Sequence, residues 1–440
     1  MKLKYLLCFF IAFTMNINLF ADNYTDKLDA MMSSYDKQGL FSGVVLLAKD
    51  GNIAYEKSYG YADWENKIAN NNKTLFNTAS ITKMFTFTLI SQLNREGKLS
   101  LDDPLNKYLS MYPEEIGSKI TIKMLVDMKA GLGDFLRNPD FNRNPEKFTT
   151  INDYLELIKN ESLLFEPGAK FEYSNSGFAV LGGVIEKVTG KSYAENLKER
   201  IFEPLGMSDT YYKQYNDKIS NSAVPTQISF TNEKRTMPDM TSPSPAGGIY
   251  INIEDMLKFD EYLKSTKILN AGARAGGTPG WNSVWAQYRN GYTLIVMSNF
   301  GRAAEEVEKR FRQIMETGNF DEPSLPIGMK MYKILKENGT EELEKNLKSI
   351  IEASDLEYND MHLNKFGYEL MQSGDLDLAL EIFKINAKLF PDIANVYDSL
   401  GEIYMNKGEK QLAIENYKKV LVLRPQNQIA KEMVEKLQGN

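Results

Sequence analysis

Ser80 and Lys83 sit three residues apart at the head of an apolar run, "FNTASITKMF" (76–85). Residues three apart on a helix are neighbours on one face, so the Lys83 amine reaches the Ser80 hydroxyl. Met84, Phe85, Phe87, Leu89, Ile90 and Leu93 mark the helix beyond as buried. Burial disfavours an ammonium, lowers its pKa and leaves an amine able to take a proton. Asn77 or Thr78 is placed to cap this helix, which puts Ser80 in its first turn with a backbone N–H free for an oxyanion. The pair is then a nucleophile that carries its own base. The spacing alone is weak, because Ser34 and Lys37 share it in a plainly amphipathic N-terminal helix.

Histidine narrows the chemistry. His362 is the only one in the chain and falls in a helical tail, where it reads as a solvated helix position. A Ser-His-Asp triad needs a histidine in the catalytic domain, and hydrolytic zinc sites use several. A base in this chain is therefore Lys, Tyr, Asp or Glu. Two further stretches follow Ser80 in order. "FEYSNSGF" places Tyr173 and Asn175 after a Pro-Gly turn and before an apolar helix, and "GARAGGTPGW" opens a glycine-rich strand with Arg274, Gly276 and Gly277. Tyr404 and Asn406 repeat the Tyr-x-Asn spacing by accident, so the order of the three stretches carries more weight than any one.

The elements that position these residues read as an α+β domain. "FSGVVLLAKDGNIAYEKSYGYAD" gives two strands around the two-residue turn Asp50-Gly51, and "WNSVWAQYRNGYTLIVMSN" repeats the arrangement around Asn290-Gly291. Strands at both ends of a mostly helical middle predict one antiparallel sheet closed by early and late segments, flanked by helices. Val307, Phe311 and Ile314 share one face of a helix after the second hairpin.

Past Gly318, "DEPSLPIG" reads as a linker and the strand signals stop. Gly367 and Gly401, Gly374 and Gly408, Ala379 and Ala413, Phe383 and Tyr417, and Pro391 and Pro425 all differ by 34 positions. Such a period resembles tetratricopeptide repeats, whose paired helices need small residues where they cross. Two repeats and a closing helix make a short array leaning on helices at 328–355. It is either a structural cap or a groove for a protein partner. The expected divisions are 1–21, 22–318, 319–360 and 361–440.

Composition sets outer bounds. The chain has 440 residues, 52 basic against 59 acidic and a net charge of −7, with no Lys/Arg cluster that would grip phosphates, so nucleic-acid binding is disfavoured. Lys2 and Lys4 precede an apolar stretch ending in Leu19-Phe20-Ala21, the layout of a secretory signal cut after Ala21 and too short to span a bilayer. Cys8 lies inside it without a small residue before it, so a lipoprotein anchor is not expected. The mature chain carries no thiol, which suits export to a periplasmic or extracellular space. Membrane association is expected to be at most peripheral, through an uncleaved signal.

From about residue 40 to 315 the chain resembles the serine β-lactamase and penicillin-binding-protein superfamily, in the branch of class C β-lactamases, D-alanyl-D-alanine carboxypeptidase-like enzymes and related esterases. The likeness rests on the stretches above together with "GKLSLDDPLNKYL", "ITIKMLVDMKAGL", "PLGMSDT" and "SPAGGIYINIEDMLKF". The fusion to repeats also resembles a known arrangement of such hydrolases. The resemblance implies a β-lactamase/transpeptidase-like fold followed by an all-α repeat domain, with no metal or organic cofactor. It implies Ser80 as the acylated nucleophile and Lys83 as its base or proton shuttle. Tyr173 would pass protons to and from the leaving group, and a lowered phenol pKa beside the Lys83 ammonium is expected. Asn175 would orient the substrate, with the N–H groups of Ser80 and Gly277 as oxyanion hole.

Two departures are visible. The third motif of relatives begins with Lys or His where Arg274 stands, and only "DEYLKSTKILNAGA" joins the "SPAGG" helix to that strand. Arg274 cannot act as an acid or base but can pair bidentately with a substrate carboxylate. The sequence thus reads as an exported serine hydrolase acting on a small-molecule or peptide amide, lactam or ester. The alternative is a degenerate binding protein whose cleft holds a cell-wall ligand and whose repeats recruit a protein.

Overall fold

The computed structural model describes residues 24–214, 217–354 and 356–439, so the secretory signal read at residues 1–21 lies outside them. The chain forms two compact units. One runs up to Gln227 and from Arg235 to Pro323; the other comprises Ile228–Lys234 and the chain from Ser324 onward.

In the first unit, Asp50 and Gly51 both adopt positive φ, 49° and 81°, as a tight turn between β1 (Gly43–Lys49) and β2 (Asn52–Tyr59) demands. The second hairpin differs from the two-residue turn expected. Its strands end at Gln287 and resume at Tyr292, and only Gly291 takes positive φ (84°), its N–H bonded to the Tyr288 carbonyl at 3.1 Å. A wider loop needs one left-handed residue instead of two.

Three short strands follow in chain order: β3 (Phe76–Asn77), β4 (Tyr211–Tyr212) and β5 (Ile249–Ile251). The long late strands are β6 (Gly272–Thr278), β7 (Trp281–Gln287) and β8 (Tyr292–Ser298). They join the first hairpin in one antiparallel sheet of order β6-β7-β8-β1-β2, with Val45 opposite Val296. Early and late segments therefore close the sheet, and its central strand β8 is buried along its whole length.

Helices cover both faces. On one side Tyr24 of α1 (residues 24–38) packs edge-on to Tyr292 and Phe311, the latter from α5 (Ala303–Thr317). On the other side lie α2 (Thr82–Arg95) and α4 (Ile253–Thr266). Phe85 of α2 stacks on Phe259 of α4 with centroids 3.8 Å apart, and Phe259 leans on Trp285 of β7. Phe85, Leu89, Ile90 and Leu93 are fully buried, so the helix that follows Ser80 is fixed to the sheet through its apolar face. A smaller sheet, β3-β5-β4, and α3 (Asn175–Thr189) complete the surroundings of the site.

The second unit is helical. It runs from α6 (Ile327–Glu352), broken at Gly339 (φ 83°), through α7 (Met361–Gln372), α8 (Leu376–Leu389), α9 (Ala394–Asn406), α10 (Lys410–Leu423) and α11 (Gln428–Gln438). The 34-residue period has a steric origin. A Cβ on Gly367 would lie 2.5 Å from the Phe383 ring, and one on Gly401 would lie 2.8 Å from the Tyr417 ring. Each glycine lets the aromatic of the next helix press against backbone. The unit also takes in residues 228–234, which the sequence placed within 22–318. Phe230 explains this, packing against Tyr332 (4.7 Å) and Phe366 (5.6 Å) in the helical core.

Candidate active site

Ser80 occupies a 3-10 turn, Ala79–Ile81, ahead of α2 and not in its first turn as expected. Neither Asn77 nor Thr78 caps α2. Instead the Asn77 side-chain carbonyl accepts the Ala79 N–H at 2.7 Å, steadying a residue held at φ 45°. Thr78 is tied to β5, its N–H and hydroxyl both donating to the Ile249 carbonyl. A strained, doubly anchored turn thus presents the serine.

Lys83, one turn on, is 2% exposed. Its Nζ lies 3.1 Å from Ser80 Oγ, 2.7 Å from Asn175 Oδ1 and 3.0 Å from the Ala246 carbonyl. Two of these partners are carbonyl oxygens, which only accept, so they take two N–H bonds. The third position faces a hydroxyl that can donate. A neutral amine satisfies this arrangement with its lone pair on the Ser80 proton. Burial pulls the Lys83 pKa down to about 7, with the Asp134 charge opposing the fall.

Tyr173 and Asn175 flank Ser174, the N-cap of α3, whose hydroxyl accepts from the Gly177 N–H at 3.1 Å. The cap fixes the chain's entry into the helix, so Tyr173 points back to Ser80 (OH···Oγ 2.7 Å) while Asn175 reaches Lys83. Ser174 also donates to the Gly133 carbonyl at 2.6 Å, and Ser176 accepts the Phe135 N–H at 2.9 Å. The 133–135 segment is thereby stitched to the helix start. Within it, Asp134 Oδ2 accepts from Asn175 Nδ2 at 2.8 Å.

The expectation of a lowered phenol pKa is corrected here. Desolvation raises Tyr173 above its ordinary value, the Ser80 hydrogen bond lowers it less, and Asp134 raises it further. Tyr173 is therefore a neutral phenol, its hydroxyl hydrogen-bonded to Ser80 Oγ at 2.7 Å.

Strand β6 lies against the nucleophile turn. A Cβ on Gly276 would sit 2.1 Å from the Thr78 carbonyl and 2.8 Å from the Ser80 nitrogen, a gap only glycine fits. Gly277 is less confined, its Cβ meeting nothing nearer than 3.4 Å.

Arg274, read as a carboxylate clamp, is tied to the backbone at the start of its own strand. Its guanidinium donates to the carbonyls of Asn270 (2.6 Å) and Gly272 (3.0 Å) and lies 4.8 Å from the centre of the Trp285 ring. Of the residues read from sequence, Ser80, Lys83, Tyr173 and Asn175 form one hydrogen-bonded cluster with Gly276 beside it. Asp134 and Ala246 were missed as its supports, and Asn77, read as a helix cap, braces the nucleophile turn instead. Among the described residues no group of three or more His, Asp or Glu is placed to hold a metal ion.

Residues 25–293 match the model of the β-lactamase family, and residues 394–427 match a tetratricopeptide repeat. The chain belongs to the β-lactamase family, whose members with this fold are serine hydrolases. It is 28% identical to the Bacillus subtilis protein PbpX, which carries a penicillin-binding-protein name, over 70% of this chain and 78% of that one. It is 31% identical to protein flp of Staphylococcus aureus over 45% of this chain, spanning 40% of flp's length. The structure of a penicillin binding protein from Bacillus halodurans superposes with a TM-score of 0.59 at 25% identity, covering 65% of this chain and 98% of that one.

Proposed function

We propose that this chain is an exported serine hydrolase that cleaves an amide, lactam or ester through an acyl-enzyme on Ser80. One observation carries the reading: Ser80 Oγ is hydrogen-bonded at once to Tyr173 OH and to an amine whose pKa has fallen to about 7. In acylation, Lys83 takes the Ser80 proton as Oγ attacks the substrate carbonyl. The Ser80 N–H and the Gly277 N–H receive the oxyanion. As the bond to the leaving group breaks, Tyr173 gives it a proton and is reprotonated from the Lys83 ammonium through the shared hydrogen-bond cluster. Water then attacks the acyl carbon, its proton passing back along the same groups, and Ser80 is released. Asn175 holds Lys83 and presents an amide to the substrate. Export rests on the sequence pattern of residues 1–21, and the repeats offer a groove to a protein partner.

Mass spectrometry after incubation with a fluorophosphonate or penicillin tests the reading. A stoichiometric adduct is expected on Ser80, lost in Ser80→Ala and kept in Ser34→Ala. Labelling that survives Ser80→Ala removes the assignment, and no adduct with any probe favours the binding-protein alternative.

A further inference from the structure

We infer that Asp239 is a positioning residue for acylation: through Tyr250 and Thr241 it fixes which way the buried Asn77 amide faces, and so holds the turn that presents Ser80. This rests on the acyl-enzyme reading above and adds to it a residue outside the Ser80 cluster.

The directions of the hydrogen bonds follow from the groups that make them. Asp239 Oδ2 accepts from the Lys213 ammonium at 2.7 Å and from the Tyr250 hydroxyl, and its Oδ1 accepts the Thr241 N–H at 3.1 Å. Burial alone would raise this carboxyl. The hydrogen bonds of Lys213, Tyr250 and Thr241 outweigh it and hold the pKa below its ordinary value, so Asp239 is ionised and can only accept. Tyr250 must then spend its one proton on Asp239, which leaves its oxygen free to accept. That oxygen and the Thr241 hydroxyl accept from Asn77 Nδ2, at 3.3 and 2.5 Å. With its NH2 facing two acceptors, the Asn77 amide turns Oδ1 to the Ala79 N–H, which it meets at 2.7 Å.

This bond matters because of where it acts. Ala79 stands one place before Ser80 at φ 45°, a conformation unusual for a residue with a side chain. Asn77 and Ala79 are both buried, so a flipped amide would set NH2 against N–H with no water to separate them. The Asn77 backbone is held independently. It pairs with Tyr250 between β3 and β5, and its carbonyl accepts from the Ser283 hydroxyl at 3.3 Å. Cutting the side-chain bonds therefore leaves the strand in place and loosens the turn.

The test measures kcat and KM for p-nitrophenyl butyrate in the full chain, with rates counted per chain that a fluorophosphonate labels. Asp239→Asn keeps the shape and removes the charge. It is expected to lower kcat about tenfold while KM changes by less than about twofold. Tyr250→Phe removes one oxygen and should act in the same direction. Asn77→Ala removes the amide and should cost at least as much as Asp239→Asn. Adding Asp239→Asn to it should then cost less than about twofold more, because the carboxylate acts through an amide no longer there. Should Asn77→Ala fail to fold, Tyr250→Phe takes its place, and the pair should cost less than the product of the two single losses. An unchanged kcat in Asp239→Asn, a loss that falls on KM, or losses that multiply in full overturns this inference while leaving Ser80 acylation standing. Absence of any adduct in the folded native chain overturns the acyl-enzyme reading and this inference with it.

Discussion

Oδ2 of Asp134 lies 2.8 Å from Nδ2 of Asn175, and that contact decides which way round the amide is held. With its NH2 drawn to a carboxylate, Asn175 can only turn its carbonyl to Lys83, where an acceptor is needed. The Asp134 charge also favours the ammonium and so holds the Lys83 pKa up against burial. Asp134→Asn is therefore expected to lower kcat about tenfold, by freeing the amide to flip. It should also move the rising limb of the pH–rate profile, set by Lys83, to lower pH. A merely structural role would cost activity without moving the limb.

The same titration predicts the profile of the native chain. Lys83 accepts the Ser80 proton only as the free amine, so kcat/KM should rise with pH through about 7 and then level. Burial raises the Tyr173 pKa, so deprotonation of this phenol should cause no fall below its ordinary value near 10. Tyr173→Phe should cost about a hundredfold or more in turnover with folding retained, and the limb near 7 should stay. A loss under tenfold removes Tyr173 from proton transfer.

Gly276 and Gly277 should respond differently to one added methyl. In Gly276→Ala the Cβ would meet the Thr78 carbonyl at 2.1 Å, forcing β6 off the nucleophile turn. The expected cost is about 1–3 kcal/mol of stability and most of the rate of Ser80 labelling. Gly277→Ala meets only ordinary contacts, so its thermal midpoint should stay near that of the native chain. Equal midpoints for the two variants would refute this packing.

The parts of the molecule legible in its sequence are those where local chemistry leaves one solution. Asp50-Gly51 can be read because both residues must take positive φ, and the period of 34 because Gly367 and Gly401 face rings. Ser80, Lys83, Tyr173 and Asn175 could be picked out by type and order. Asp134 could not, since its carboxylate acts 41 residues along the chain and nothing in "GLGDF" marks it. Ala246 was invisible for a plainer reason. It contributes a backbone carbonyl, which every residue has. The Tyr173 pKa was misread because desolvation of the phenol itself, its largest cause, is a tertiary fact.

Arg274 is the residue where sequence and structure lead to opposite experiments. A clamp would make Arg274→Ala raise KM for carboxylate-ended substrates alone. In the structure Arg274 donates to the carbonyls of Asn270 and Gly272, with a longer contact of 3.4 Å to Gln287 Oε1, and its flat guanidinium lies over Trp285. These contacts pin the start of an edge strand whose later residue Gly276 lies against the nucleophile turn. Arg274→Ala should therefore lower stability by about 1 kcal/mol and change KM for butyrate and hemisuccinate esters in parallel. Arg274→Lys should not restore it, because one ammonium cannot span two carbonyls while stacking on an indole. A rise in KM confined to the hemisuccinate ester, with the thermal midpoint unchanged, would return Arg274 to the substrate.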